Sequence, residues 1–363
     1  MRPWVLQRSG LFLLLLTAIC FLLTPALAHV PVFVGEGKTP ETAIKVEDPS
    51  KSKVLYGQFA FEDLRYYSFN IEKGERIVLG LTVPVEQGKQ GFTPNLILIG
   101  PGLADEGKVP EMLEVPKGYG TKVLSNGLPE SPVYEGFTPS AFYSIARLDT
   151  EAPESGTYYV AVGAVQETDA REGKNTIKGE GIQEREIKGK GNYGIIIGYR
   201  ETFTLMEWIS IPLSQIRIYR WEGQSLLLIF APLALTLTFG LLAIFFKRET
   251  AAGFNPARIS GILAGLFFLG TGVSYIFQML ISLSKSSYSP EVFITLVLIL
   301  TSLGLGTAAI TLSLKNENYG TGSARKRLYF IFLGIAGLLL WAGLFIGSFF
   351  AFEAALLPWK RKG

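Results

Sequence analysis

The chain has 363 residues, with 34 Lys and Arg against 31 Asp and Glu, one Cys and one His. Residues 29–222 hold 21 Lys and Arg against 27 Asp and Glu, whereas residues 223–363 hold 11 against 4. A mildly acidic polar half argues against nucleic-acid binding, which needs a clustered basic face. The single Cys and single His leave too few such side chains for disulfides, cysteine nucleophiles, the usual nucleophilic triads or histidine metal sites.

The chain opens like an export signal. Arg2 and Arg8 precede an apolar core over residues 11–23, and Ala26-Leu27-Ala28 forms a small-x-small cleavage site. An uncleaved anchor helix is the other reading, and either one exports the polar half of the chain. Cys20 lies inside this leader, so a mature chain carries no thiol. Cleavage after Ala28 would make His29 the N-terminus, where an amine and imidazole can chelate copper. Such a site needs a further His, which this chain lacks, so no metal or cofactor is assigned and a frayed terminus is the plain alternative. No Asn-x-Ser/Thr glycosylation acceptor occurs.

Residues 29–200 show short alternating runs between Gly, Pro, Asn and Asp. The pattern predicts strands over 53–59, 66–71, 76–83, 94–99, 141–146, 157–165 and 193–199. With no long amphipathic helix between them, they predict an all-β extracytoplasmic sandwich, antiparallel and jelly-roll-like. Residues 102–139, rich in Gly, Pro, Glu and Lys, read as a long ordered loop or an inserted hairpin; residues 171–191 read as a charged hairpin tip or a solvated loop. In Tyr66-Tyr67 and Tyr158-Tyr159 one ring of each pair should face the core and one outward, either as a stacking surface or as ordinary cross-strand pairing. The carboxylate pairs Glu62-Asp63 and Asp105-Glu106 read as loop charge, weak calcium ligands or an acid–base pair.

The runs Asp63-Leu64-Arg65-Tyr66-Tyr67-Ser68-Phe69, Lys73-Gly74-Glu75-Arg76-Ile77, Asn95-Leu96-Ile97-Leu98 and Glu154-Ser155-Gly156-Thr157-Tyr158-Tyr159-Val160-Ala161-Val162 resemble the bacterial and archaeal pre-peptidase C-terminal domain. The resemblance covers about residues 50–165, with an insertion after Gly100. It implies a small exported sandwich acting as an accessory module, without catalysis.

Residues 201–224 form a connector. Thr204 and Glu207 have capping-box spacing, Pro212 interrupts, and Trp221 and Tyr219 with Arg217 and Arg220 fit a lipid interface. A last strand of the sandwich is the rival reading, given the Ile216-Arg217-Ile218 alternation. Residues 225–363 carry four apolar runs, 225–246, 259–283, 292–314 and 328–350, free of ionisable groups and predicting a bundle of four spans. Basic loops after the first and third runs stay inside, which puts residues 29–222 outside a cell membrane in a multi-pass protein. Four spans then leave Lys360-Arg361-Lys362 outside, against the same rule. Charge-free spans disfavour transport of charged solutes by this chain alone. The pairs Gly261/Gly265 and Gly343/Gly347 allow close helix approach, either within the chain or in a homo- or hetero-oligomer, and Ser274, Tyr275 and Gln278 can bond between helices.

The expected function is a non-enzymatic, membrane-anchored binding or assembly protein whose partners, besides lipid, are a membrane protein or a cell-surface polymer. The alternatives are an accessory subunit of a membrane transporter or oxidase complex, or an exported hydrolase working through paired carboxylates. No catalytic, cofactor-binding or metal residue is assigned.

Overall fold

A computed structural model describes residues 29–60, 63–124, 127–163, 190–246, 255–315 and 321–359. The export signal with Cys20, Glu62, the charged tip at 171–189, the basic loop residues 247–254 and the tail at 360–363 lie outside the described residues. The chain forms two compact units. One holds Leu27–Val133 and Ala141–Phe203; the other holds Tyr134–Ser140 and Thr204–Gly363.

The first unit is a two-sheet β structure. Its strands are β1 (Val30–Phe33), β2 (Ile44–Lys45), β3 (Lys53–Ala60), β4 (Arg65–Ile71), β5 (Arg76–Pro84), β6 (Asn95–Pro101), β7 (Tyr119–Leu124), β8 (Val133–Glu135), β9 (Ser140–Glu151), β10 (Gly156–Gly163) and β11 (Lys190–Ile197), with a short helix α1 (Val85–Lys89) after β5. One sheet runs β1-β3-β11-β5-β9-β8 and the other β2-β4-β10-β6-β7. All seven strands expected from the alternation are present. The expectation of purely antiparallel sheets needs correction: β1 pairs parallel with β3 and β2 parallel with β4, so both sheets are mixed. These two edges are short segments from the start of the unit that lie alongside strands arriving later in the chain. A parallel pair needs a long connection rather than a tight turn, and nothing in a run as short as Ile44-Lys45 declares its direction.

Alternation explains the core. Tyr67, Phe69 and Ile71 of β4 face the same interior as Leu55 and Phe59 of β3, Leu79 and Leu81 of β5, Leu96 and Leu98 of β6, and Tyr193 and Ile195 of β11. Residues two apart on a strand share a face, and each such side chain removed from water contributes about 1.5–3 kcal/mol. The opposite face of β4 is covered as well. Leu64, Tyr66, Ile97, Ile99 and Ala161 form a second cluster against Leu113, Tyr119 and Val123 of the 102–124 insertion. Tyr66 and Tyr67 are therefore both buried, 1% and 0% exposed, against the expectation that one would face outward.

The second unit is helical. Thr204 caps α2 (Leu205–Trp221) with the full capping box: its side chain accepts from Glu207 N, and the Glu207 carboxylate accepts from Thr204 N. The connector is thus a helix and not a last strand. Among the described residues three helices are long and apolar enough to cross a membrane: α3 (Leu226–Phe246), α4 (Pro256–Leu283) and α5 (Val292–Leu314). The expected fourth span is not one helix. It divides into α6 (Thr321–Leu339), a 3-10 turn at Ala342–Phe345 and α7 (Ile346–Leu356). Trp341, Leu344 and Phe345 adopt φ of 55°, 49° and 66°, a left-handed run that no helix continues through.

The two pieces run antiparallel. The Phe330 ring of α6 stacks on Trp359 at 5.4 Å, and the Lys326 ammonium lies 4.8 Å from the same ring centroid. Near its C-terminal end α7 offers Glu353 to Ser260 at the start of α4 (3.0 Å), and Lys326 Nζ donates to Lys315 O at the end of α5. Hence α6 and α7 form a hairpin whose two ends meet beside the start of α4 and the end of α5. At its tip Trp341 packs on Trp208 of α2, ring centroids 4.5 Å apart, and donates to Trp208 O at 3.0 Å.

Candidate functional site

Around one rim of the β unit lies an open groove of about 480 Å³. Four chain segments build it: the Glu47–Ser50 loop ahead of β3, the end of β4 with its turn into β5, the start of β10, and Tyr199 just past β11. The β4–β5 turn is tight because Gly74 takes φ 82°, open to glycine at no steric cost. Glu75 accepts from Glu72 N at 2.8 Å to close it.

The groove's polar groups are fixed from behind. Asp48 Oδ1 accepts from Ser50 Oγ at 2.6 Å and from the backbone N–H of Ser50 and Lys51, while Oδ2 accepts from Arg200 at 3.0 Å. These bonds, the Ser50 hydroxyl foremost, hold its carboxyl below the usual range. Arg76 makes a two-pronged pair with Asp149, 2.8 and 2.6 Å, and its guanidinium lies 5.0 Å from the Tyr199 ring centroid. The hydrogen bond from Arg76 likewise depresses Asp149. Thr157 Oγ1 donates to Asn70 Oδ1 at 2.8 Å. Glu47, Asp48, Glu72 and Glu75 therefore line the groove around a guanidinium already bound to Asp149. The arrangement can accept hydrogen bonds from amine, guanidinium or hydroxyl groups of a partner. The Asp48 oxygens are already occupied by donors.

Glu75, Arg76, Gly156 and Thr157, all within the runs that carry the resemblance, line this groove; the carboxylate pairs, the paired tyrosines and His29 do not. Asp105 instead accepts from Thr121 N and Oγ1 at 2.9 and 3.0 Å, and Glu106 pairs with Lys122 at 2.7 Å, so both tie down the insertion. Asp63 pairs with the buried Arg65 at 3.1 Å. Tyr66 accepts from Glu114 N at 2.8 Å; Tyr158 donates within the sandwich at its edge, 2.9 Å to Pro101 O or Glu154 O; Tyr159 lies beside Tyr119. His29 is not frayed: its ring bonds Ser52 Oγ, and burial lowers its pKa. Among the described residues no cluster of three or more His, Cys, Asp or Glu is arranged to hold a metal ion.

In the helical unit the interhelical bonding expected of the second apolar run is present. Tyr275 and Gln215 of α2 share a hydrogen bond at 3.2–3.3 Å, and Gln278 exchanges two bonds of 2.9 Å with Gln224. The flagged glycines meet neighbours in their own chain. A side chain at Gly265 would strike Ile310 and Gly306 O of α5, and one at Gly343 or Gly347 would strike Phe268 of α4.

No family model matches the chain, and no curated protein matches it. Among solved structures it is similar to the periplasmic g-type lysozyme inhibitor PliG of Aeromonas hydrophila (12% identity, TM-score 0.24), covering 47% of this chain and 98% of that one. It is also similar to PliG of Salmonella Typhimurium (17%, TM-score 0.21; 43% and 98%) and to the pre-peptidase C-terminal domain of the Bacillus anthracis collagenase (13%, TM-score 0.20; 42% and 91%).

Proposed function

We propose that this chain is a non-enzymatic, membrane-anchored binding protein. Its β unit is an accessory module of the pre-peptidase C-terminal kind displayed outside the cytoplasm, and it engages a partner protein or polymer through the rim groove. The observation that supports this reading is the groove's chemistry: a row of carboxylates around a fixed guanidinium, suited to a partner bearing cationic or hydroxyl groups. The rigid backing of Asp48 and Arg76 fits a preformed surface, which binds without first ordering itself.

The test is a photo-crosslinking residue placed at Asn70 in the full chain, irradiated in its native membrane. A discrete adduct that Glu47→Lys with Glu72→Lys abolishes is the expected result, because both side chains are exposed and reversing them leaves the fold untouched. An adduct that survives the reversal, or none at Asn70, overturns the groove as the contact. A stoichiometric integral membrane protein as the captured species would favour an accessory subunit over a free-standing binder.

A further inference from the structure

Inside the helical unit, a cavity of about 50 Å³ lies between α2, α3, α4 and the tip of the α6–α7 hairpin. Its polar wall is Gln215, Tyr219, Thr271, Ser274, Tyr275 and Gln278, and it contains no charged group. Most of these atoms are spoken for. Gln215 donates to Phe137 O and Tyr275, Gln278 is paired with Gln224, and Thr271 takes the Gly343 N–H at 2.8 Å. The Tyr219 hydroxyl is the exception: the residue is 6% exposed and its oxygen has no partner. A buried hydroxyl left unpaired is costly, and such exceptions in a native structure call for an explanation. The cavity is also lined by Trp341 and Leu344, held in left-handed backbone that ordinary residues avoid.

These walls set the chemistry of an occupant. The lining holds no cation, so an anionic head would be stripped of water with no counter-charge in the wall to meet it. The volume suits a hydroxyl with a few attached atoms and is too small for a phosphate ester head. The apolar side is made by Ile229, Phe230 and Leu233 of α3. Phe230 is exposed, and only 11% of the apolar stretch of α3 is buried, so a hydrocarbon tail can leave the cavity along that helix. We propose that this cavity binds the uncharged hydroxyl end of a membrane lipid, with Tyr219 as the group that hydrogen-bonds it and α3 as the rail for its tail. Diacylglycerols and polyprenols share this chemistry.

The experiment uses the full chain in phosphatidylcholine nanodiscs doped with a photoactivatable diacylglycerol or, separately, a photoactivatable polyprenol. Labelled peptides are mapped. At least one probe should label α2 and the first half of α3, and Tyr219→Phe should lower that labelling about tenfold, the size of one buried hydrogen bond. Because Tyr219→Phe removes an orphaned polar atom, its melting temperature should equal or exceed the wild-type value, which separates lost binding from lost folding. Leu233→Trp, which fills the mouth, should lower labelling as well. Whichever probe labels identifies the source. Labelling unchanged by Tyr219→Phe, spread evenly over the outward faces of α3 to α5, or matched by a photoactivatable phosphatidylcholine overturns the proposal, and so does a cavity holding only water, seen as no labelling above background.

Discussion

At the centre of the sandwich the Tyr67 and Tyr193 hydroxyls meet at 2.7 Å, both rings 0% exposed. The pair fits because position 57 is glycine; a Cβ there would lie 2.5 Å from the Tyr193 oxygen. Neither hydroxyl has access to water, and each is a hydrogen-bond partner of the other. Tyr67→Phe or Tyr193→Phe alone should destabilise the β unit by about 1–3 kcal/mol, the cost of a stranded buried hydroxyl, whereas the double variant should recover most of it. Denaturant unfolding of the four proteins closes the cycle, and simple additivity of the two losses would refute the coupling. Burial also pushes Tyr193 up to about 12 and raises Tyr67 well above its ordinary value. The neutral forms are therefore favoured in the folded state. Their contribution is complete below the ordinary tyrosine value of about 10 and is lost as pH rises above it, because the unfolded chain ionises first. The inner face of β4 was legible from its alternation. The burial of Tyr66 was not, because its cover comes from Leu113 and Glu114, some fifty residues away in a segment whose Gly, Pro and Glu composition reads only as loop.

At the scale of elements, α4 and α5 pack through missing side chains. Gly265 faces Gly306 O and Ile310; Gly261 faces Ser313 and Phe330; Gly272 faces Leu303. Gly265→Leu should overpack this seam and cost about 1–3 kcal/mol, read as a lower unfolding midpoint in detergent. Ala234→Leu, on the exposed side of α3, should leave the midpoint unchanged. If the glycines instead served a partner chain, Gly265→Leu would change oligomer size at unchanged stability. Three spans were legible because length and apolarity are local properties. The break in the fourth run was not. Residues 328–350 are apolar throughout, and the turn exists because Gly343 can take φ 76°, bond Thr271 and lie against the Phe268 ring. All three causes are tertiary. The rim groove was hidden for the same reason: its lining comes from four segments between residues 47 and 199.

For the whole molecule, the hairpin changes the topology argument. Four crossings would leave the basic Lys360-Arg361-Lys362 tail on the outer side, in conflict with the positive-inside tendency. Three crossings and then a hairpin that returns to its starting end remove the conflict. Trp359, the residue just before the tail, lies on Lys326 and Phe330, close to Lys315 at the end of α5, and Glu353 meets Ser260 at the start of α4. The charge rule then predicts the basic stretches 247–258, 315–327 and 360–362 on the cytoplasmic side, with residues 29–203 and the Ser284–Glu291 connection expected on the other. The scarcity of cysteine makes the arrangement easy to test, since Cys20 is the chain's one thiol. Tyr288→Cys, at a position 80% exposed, should react with a membrane-impermeant maleimide on intact cells. Ala251→Cys and Lys362→Cys should react only after permeabilisation. Labelling of Lys362→Cys from the same side as Tyr288→Cys would mean that α6 and α7 complete a crossing, and the hairpin topology would be wrong even if the β unit still faced outward.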